Sequence, residues 1–209
     1  GAAVQRAVAE KWKQVTGCYI TEAYGLTEAS PGVSASPLDT PWNGMIGLPF
    51  PSTEVTLRNE DFAALPPWTG DDDVEMHTGE ICVRGPQVML GYWGKPAETT
   101  AVLRDGWLTT GDLGKIDAHG RLTVSGRADD MLISGGHKVH PQAVESCLAT
   151  CPGIRDVAVT GLPDPAWGDL VVALVVGEAT SQGIAEWCRD RLPGAAQPRR
   201  IIRLASLPR

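Results

Sequence analysis

A chain of 209 residues with 43% hydrophobic and 21% charged residues has the make-up of an ordinary globular protein, with length for one large domain or two small ones. Its net charge of −7 argues against a general nucleic-acid binder. No apolar run approaches the ~18 residues that a membrane-crossing helix requires, and the start has no signal-peptide pattern.

The charge is uneven. Residues 1–128 hold sixteen acids against ten bases, whereas residues 129–209 are close to balance at nine against eight. From Arg191 onward there are five Arg and no acid, a basic strip that suits phosphates or a solvated face. The five Cys form no CxxC pair and no Cys/His metal spacing. Cys147 and Cys151, four apart, would share one face of a helix. They read as buried or free thiols of a reducing compartment, and so a cytoplasmic location. A chain that begins with Gly rather than Met reads as a piece of something longer or a processed form.

Residues 2–15 place Val4, Val8, Trp12 and Val15 at helical steps, an apolar stripe expected to pack into the core. Thr16-Gly17 ends this helix, and residues 18–23 read as a strand leading into Tyr24-Gly25-Leu26-Thr27-Glu28. The loop after a strand is where α/β proteins place ligands. Here a ring could stack on a base, a Thr hydroxyl could bond phosphate, and a carboxylate could hold Mg²⁺, which prefers oxygen ligands. Alone, the segment equally describes a plain loop.

Residues 30–43 read as Pro/Gly/Ser-rich loop, and 46–49 and 54–58 as short strands. Residues 59–78, with the acidic run Asp71-Asp72-Asp73, read as an exposed insertion without chemistry. Residues 80–84 alternate as a strand, with Ile81 and Val83 on one face, and 88–93 continue as apolar chain. Pro96 suits the first position of a short helix over 96–103. Two strands, 107–117 and 121–125, are joined by Asp117-Ala118-His119-Gly120, which leaves His119 at the surface. Asp112, after Thr110-Gly111 and between apolar residues, needs a partner if buried. Adjacent sugar hydroxyls would satisfy it, as would an ordinary cap.

Residues 126–145 then run Arg127, two carboxylates, the apolar Met131–133 stretch and Ser134-Gly135-Gly136, with Pro141 starting a helix over 141–150. Paired glycines allow backbone N–H groups close to a ligand, although most such pairs are turns. Strands follow at 157–160 and 170–176, the second apolar throughout and therefore central. Ile184, Trp187 and Cys188 form the core side of a helix, and 201–204 is a last strand. Residues from 129 onward thus make a compact α+β unit with its own core.

In this order, YGLTEAS at 24–30, IGLPFPSTEV at 46–55, GEICVRGPQVMLGYW at 79–93, DGWLTTGDLGKID at 105–117 and GRADDMLISGGHKVHPQAVE at 126–145 resemble the adenylate-forming acyl-CoA synthetase family. The front half is most similar to bacterial long-chain fatty acyl-CoA ligases. SGGHKVHP and Ala166-Trp167-Gly168 are more similar to aryl-CoA ligases. The resemblance implies a mixed α/β and α+β fold. Residues 1–128 would be the end of a large nucleotide-binding domain, an α/β layer plus a small β-rich subdomain. Residues 129–209 would be a small mobile α+β domain.

It implies a reaction in which a fatty or aromatic carboxylic acid is joined to AMP with Mg-ATP and then passed to the thiol of CoA. By the same resemblance, Tyr24 stacks on adenine, Thr27 contacts phosphate and Glu28 acts through Mg²⁺, the last two being the catalytic pair. Gly25 lines the nucleotide site and floors the acyl pocket. Asp112 and Arg127 hold the ribose. Asp129 is the hinge, Ser134, Gly135 and Gly136 line the pantetheine tunnel, and Trp167 stacks on the CoA adenine.

Three departures qualify the match. The Gly/Ser/Thr/Lys-rich phosphate loop of the family is absent. Lys138 is the last Lys, so the family's adenylation Lys has no counterpart. Gln197 stands where some relatives carry a basic residue near the CoA phosphates. The sequence therefore reads as the C-terminal part of a ligase, inactive by itself. The alternatives are an enzyme that loads a carrier-protein thiol, or a catalytically dead nucleotide-binding module.

Overall fold

The computed structural model describes Val4, residues 6–70 and residues 77–207. The chain divides into two compact units, Gly1–Ala128 and Asp129–Arg209. Among the described residues no helix is long and apolar enough to cross a membrane.

The first unit opens with helix α1 (Arg6–Thr16). Its apolar stripe is not core, contrary to the expectation from its period: Val8, Trp12 and Val15 are 54%, 48% and 76% exposed. Helical period says which residues share a face, not whether that face is covered. Residues 18–22 are not strand either; only β1 (Ala23–Gly25) is. It pairs antiparallel with β2 (Gly32–Ala35), which lies inside the expected loop, and β2 pairs with β3 (Leu48–Pro49).

A five-stranded antiparallel sheet follows, built from β4 (Glu54–Arg58), β5 (Gly79–Arg84), β6 (Leu103–Arg104), β7 (Trp107–Ile116) and β8 (Leu122–Arg127). The ten-residue β7 organises it, taking β5 on one side and both β6 and β8 on the other. Helix α2 (Pro96–Val102) starts at its proline, whose missing N–H costs nothing in a first turn. The core joins both sheets: Val33 and Ala29 meet Leu57, Ile81, Val83 and Leu122, with Tyr24 and Leu26 packed against them. Most described residues of the expected insertion 59–78 are exposed, as expected, but it is anchored at three points. Leu65 packs on this core, His77 is buried, and Trp68 bridges to Asp117. Asp71-Asp72-Asp73 lie outside the described residues.

The second unit is one sheet covered by two helices. Its elements are β9 (Leu132–Ser134), β10 (His137–Val139), α3 (Pro141–Leu148), β11 (Ile154–Asp164), β12 (Gly168–Gly177), α4 (Ser181–Arg189) and β13 (Arg200–Arg203). As its unbroken apolar run implies, β12 is central, bonded to β11, β9 and the parallel β13. Val144 and Leu148 of α3 and Ile184 and Cys188 of α4 meet Val171, Ala173 and Val175 of β12 in a single core. Thr180 caps α4 by accepting from the Gly183 N–H at 3.0 Å. Since α3 ends at Leu148, Cys151 lies past the helix and its burial comes from the following turn, not from a face shared with Cys147.

Candidate functional site

The first unit brings Tyr24, Asp112 and Arg127 together. In the antiparallel register of β7 and β8, Asp112 stands opposite Arg127, and the Arg127 Nη1 donates to Asp112 Oδ1 at 3.1 Å. The Tyr24 hydroxyl donates to the other oxygen, Oδ2, at 2.6 Å. Burial, then the Asp112 carboxylate, pushes the Tyr24 phenol above its ordinary range, so it stays protonated and remains a donor.

Two residues without an assigned role in the sequence reading fix this group. Thr110 is buried; its hydroxyl donates to the Ile81 carbonyl at 2.8 Å and accepts from the Asp112 N–H at 3.1 Å. Glu80 Oε1 accepts from the Gly111 N–H at 2.9 Å. Gly111 has φ +72°, and a Cβ there would stand 3.0 Å from the Arg127 Nη2. The glycine is what lets the guanidinium lie over the strand and reach the Thr110 carbonyl at 3.1 Å. Thr110 and Glu80 were both inside recognised motifs, but only a register could aim them.

Glu28 sits in a 3₁₀ turn, Thr27–Ala29, whose Ser30 follows with φ +53°. Its Oε1 accepts from the Tyr92 hydroxyl at 2.7 Å, and its carbonyl accepts from the Met89 N–H at 2.8 Å. Thr27 is exposed at the start of the same turn. Gly25 is obligatory, because a Cβ would fall 1.8 Å from the Pro31 carbonyl oxygen. Among the described residues no three His, Cys, Asp or Glu side chains converge as a self-sufficient metal site. A single carboxylate fits Mg²⁺ only where phosphate oxygens complete the shell, which is how Mg²⁺ is ordinarily held with nucleotides.

In the second unit Gly135 and Gly136, with φ +58° and +81°, turn β9 into β10. The Gly135 N–H donates to the Trp167 carbonyl at 2.8 Å, and a Cβ on Gly135 would meet the Trp167 ring at 2.8 Å. Ser134 is fully buried, opposite Gly168, with no hydrogen-bond partner for its hydroxyl. Trp167 is half-buried, its N–H held by Asp164 at 3.0 Å. The Arg199 guanidinium lies 4.0 Å from its ring centroid, a contact that the basic strip of the sequence did not single out. Gln197 is turned to its own backbone, donating to the Leu192 carbonyl at 3.0 Å. Asp129 is exposed, the first residue of this unit and two past the end of β8.

Residues 1–93 match the family model described as AMP-binding enzyme, and residues 143–209 match that for the AMP-binding enzyme C-terminal domain. The chain belongs to the AMP-binding, adenylate-forming enzyme family. Among relatives, a long-chain-fatty-acid–CoA ligase of Escherichia coli O6:H1 is 39% identical across 100% of this chain and 36% of its own length. A feruloyl-CoA synthase of an Amycolatopsis species is 38% identical over 92% of this chain and 39% of its own. Among solved structures, the O-succinylbenzoate coenzyme A synthetase of Bacillus subtilis, in complex with ATP and magnesium ion, superimposes with a TM-score of 0.84 at 29% identity. That match covers 100% of this chain and 42% of the other. The chain thus spans about a third of the length of the curated relatives it matches.

Proposed function

We propose that this chain is part of an AMP-forming acid–thiol ligase that activates a fatty or aromatic carboxylic acid as its adenylate and transfers it to CoA. The observation that carries the reading is the junction of Tyr24, Asp112 and Arg127, a ring beside a carboxylate whose two oxygens are each held by one protein donor. An ionised carboxylate has about four acceptor positions, so Asp112 keeps room for two ribose hydroxyls. Tyr24 supplies the face for adenine, Gly25 keeps the loop low enough for nucleotide and acyl group, and Arg127 holds the Asp112 carboxylate in place.

Thr27 and Glu28 follow at the phosphate end. Bound there by Glu28 and the nucleotide, Mg²⁺ would neutralise phosphate charge as the acid carboxylate approaches the α-phosphate. Glu28 orients and Thr27 donates; neither needs to move a proton. That the Bacillus subtilis relative is in complex with ATP and magnesium ion supports a metal-bound nucleotide as the ligand of this fold.

Asp129 is the hinge of this reading, allowing the second unit to change neighbours between the two half-reactions. Ser134, Gly135 and Gly136 face pantetheine. Trp167 with Arg199 offers a ring and a cation together, which suits the base and phosphates of free CoA. A carrier-protein arm brings a pantetheine without that nucleotide, so the pair favours CoA over a carrier protein. The five free thiols support a reducing, cytoplasmic setting.

The test is acid-dependent exchange of pyrophosphate into ATP by the longer protein that contains this chain. It should respond to at least one member of a panel of fatty and aromatic acids. Silence across the panel, with ATP binding intact, would leave a nucleotide-binding module instead.

A further inference from the structure

We infer that Tyr92 is a positioning residue for Glu28: the loop that carries it holds the carboxylate in the one orientation from which its second oxygen is free to serve a metal-bound nucleotide. The inference rests on the Mg²⁺ role proposed for Glu28 and goes beyond it, since it assigns a residue outside the nucleotide motifs.

Glu28 lies in a three-residue turn, and its side chain has three rotors. Nothing in such a short turn fixes where the carboxylate points. The segment after β5 grips it twice. Met89 donates its N–H to the Glu28 carbonyl at 2.8 Å, and Tyr92 donates its hydroxyl to Oε1 at 2.7 Å. A hydroxyl donating to a carboxylate is a charge-assisted bond, stronger and more directional than a neutral one.

Tyr92 is itself held from behind. Its N–H donates to Thr99 Oγ1 at 2.9 Å, and the Thr99 hydroxyl donates to the Lys95 carbonyl at 2.8 Å. Gly91 has φ +148°, and a Cβ there would stand 2.7 Å from Thr99 Cγ2, so only glycine lets the chain lie this close to α2. The Lys95 N–H closes the turn on the Tyr92 carbonyl at 3.1 Å. A rigid path therefore runs from α2 through Tyr92 to Glu28. The flanking Leu90 and Trp93 are fully exposed, so the loop is not seated by burying them. Such outer partners of a ligating side chain are commonly worth ten- to a hundredfold in metal affinity.

The experiment uses the longer protein, with Mn²⁺ titrated in the presence of ATP and free Mn²⁺ read by electron paramagnetic resonance. Pyrophosphate exchange is measured in parallel against Mg²⁺. Tyr92→Phe should weaken Mn²⁺ binding about tenfold. It should raise the Mg²⁺ needed for half-maximal exchange by a similar factor, with the loss confined to low Mg²⁺. Tyr92→Phe combined with Glu28→Gln should bind no worse than Glu28→Gln alone. Thr99→Val, which keeps the helix and removes the acceptor for the Tyr92 N–H, should act in the same direction, and it serves if Tyr92→Phe does not fold.

Unchanged Mn²⁺ binding in Tyr92→Phe, or a loss of exchange that saturating Mg²⁺ does not restore, overturns the inference while Glu28 keeps its role. Full Mn²⁺ binding by Glu28→Gln instead removes the metal role of Glu28 itself.

Discussion

Tyr24 and Asp112 are 88 positions apart, yet the phenolic hydroxyl donates to the Asp112 carboxylate across 2.6 Å. The contact joins β1 to the middle of β7, and so ties the three-stranded sheet to the five-stranded one. Because Arg127 takes the other carboxylate oxygen, the β7–β8 register and Tyr24 of β1 position one group from two sides.

Tyr24→Phe keeps the ring and removes this bond. A hydrogen bond to a charged group is worth about 1.5–3 kcal/mol, so the melting temperature of the first unit should fall by several degrees and ATP affinity should drop. The pH dependence has a definite sign. Burial and the Asp112 carboxylate raise the Tyr24 phenol, so its contribution is complete below the unfolded value of about 10 and is lost as pH rises beyond it toward the folded value. Thermal melts across alkaline pH should show wild-type stability falling more steeply above about pH 10 than that of the variant; parallel curves would count against the assignment.

Gly111→Ala tests the strand beneath. At φ +72° a Cβ costs about 1–2 kcal/mol, and here it also presses on the Arg127 guanidinium 3.0 Å away. Since the end of a long side chain can give way, the greater effect should fall on Arg127 and its hold on Asp112. Calorimetric titration should show ATP binding weakened by more than the modest drop in melting temperature would suggest. Equal effects at Gly111 and at the exposed Gly70, where nothing lies within 4 Å, would make the result one of backbone strain alone.

The sequence was a sound guide wherever a single side chain or a period decided the outcome. The apolar run of β12 announced a central strand, and Pro96 and Pro141 marked two helix starts. Tyr24, Asp112 and Arg127 were legible only through the family resemblance, since alone a Tyr in a loop or an Asp in a strand equally describes ordinary packing; the register of β7 and β8 and the fold of β1 then bring them together. What period could not report was cover: the stripe of Val8, Trp12 and Val15 is as regular as any core stripe and stands exposed. Nor could spacing show direction. Tyr92 lay in a recognised motif, but its bond to Glu28 depends on how the loop after β5 folds back. Arg199 was one Arg in a basic strip until β13 paired with β12 and brought it over Trp167.

Asp129→Pro addresses the boundary between the units. Proline fixes φ near −65° and restricts Ala128 before it, so a swivel centred there would be lost. Asp129 is exposed, and the change leaves both cores untouched. In the longer protein, pyrophosphate exchange should survive while thioester formation falls severalfold. Stopped-flow measurement of the two half-reactions separates them, and an equal loss in both would remove Asp129 as the hinge.

Each unit should also melt on its own core. Leu148 is fully buried on α3 in the second unit's core, and Ile81 is fully buried on β5 in the first. Truncating such a side chain to Ala costs about 2–5 kcal/mol through lost transfer energy and the cavity left behind. In a domain of the second unit's size, 1 kcal/mol moves the midpoint by roughly 4–8 °C, so Leu148→Ala should lower one transition by about 8 °C or more. Ile81→Ala should lower the other and leave the first in place. Calorimetry of the two variants decides it: if either substitution shifts both transitions together, the cores are not independent, and the division at Ala128 and Asp129 is one of geometry without separate stability.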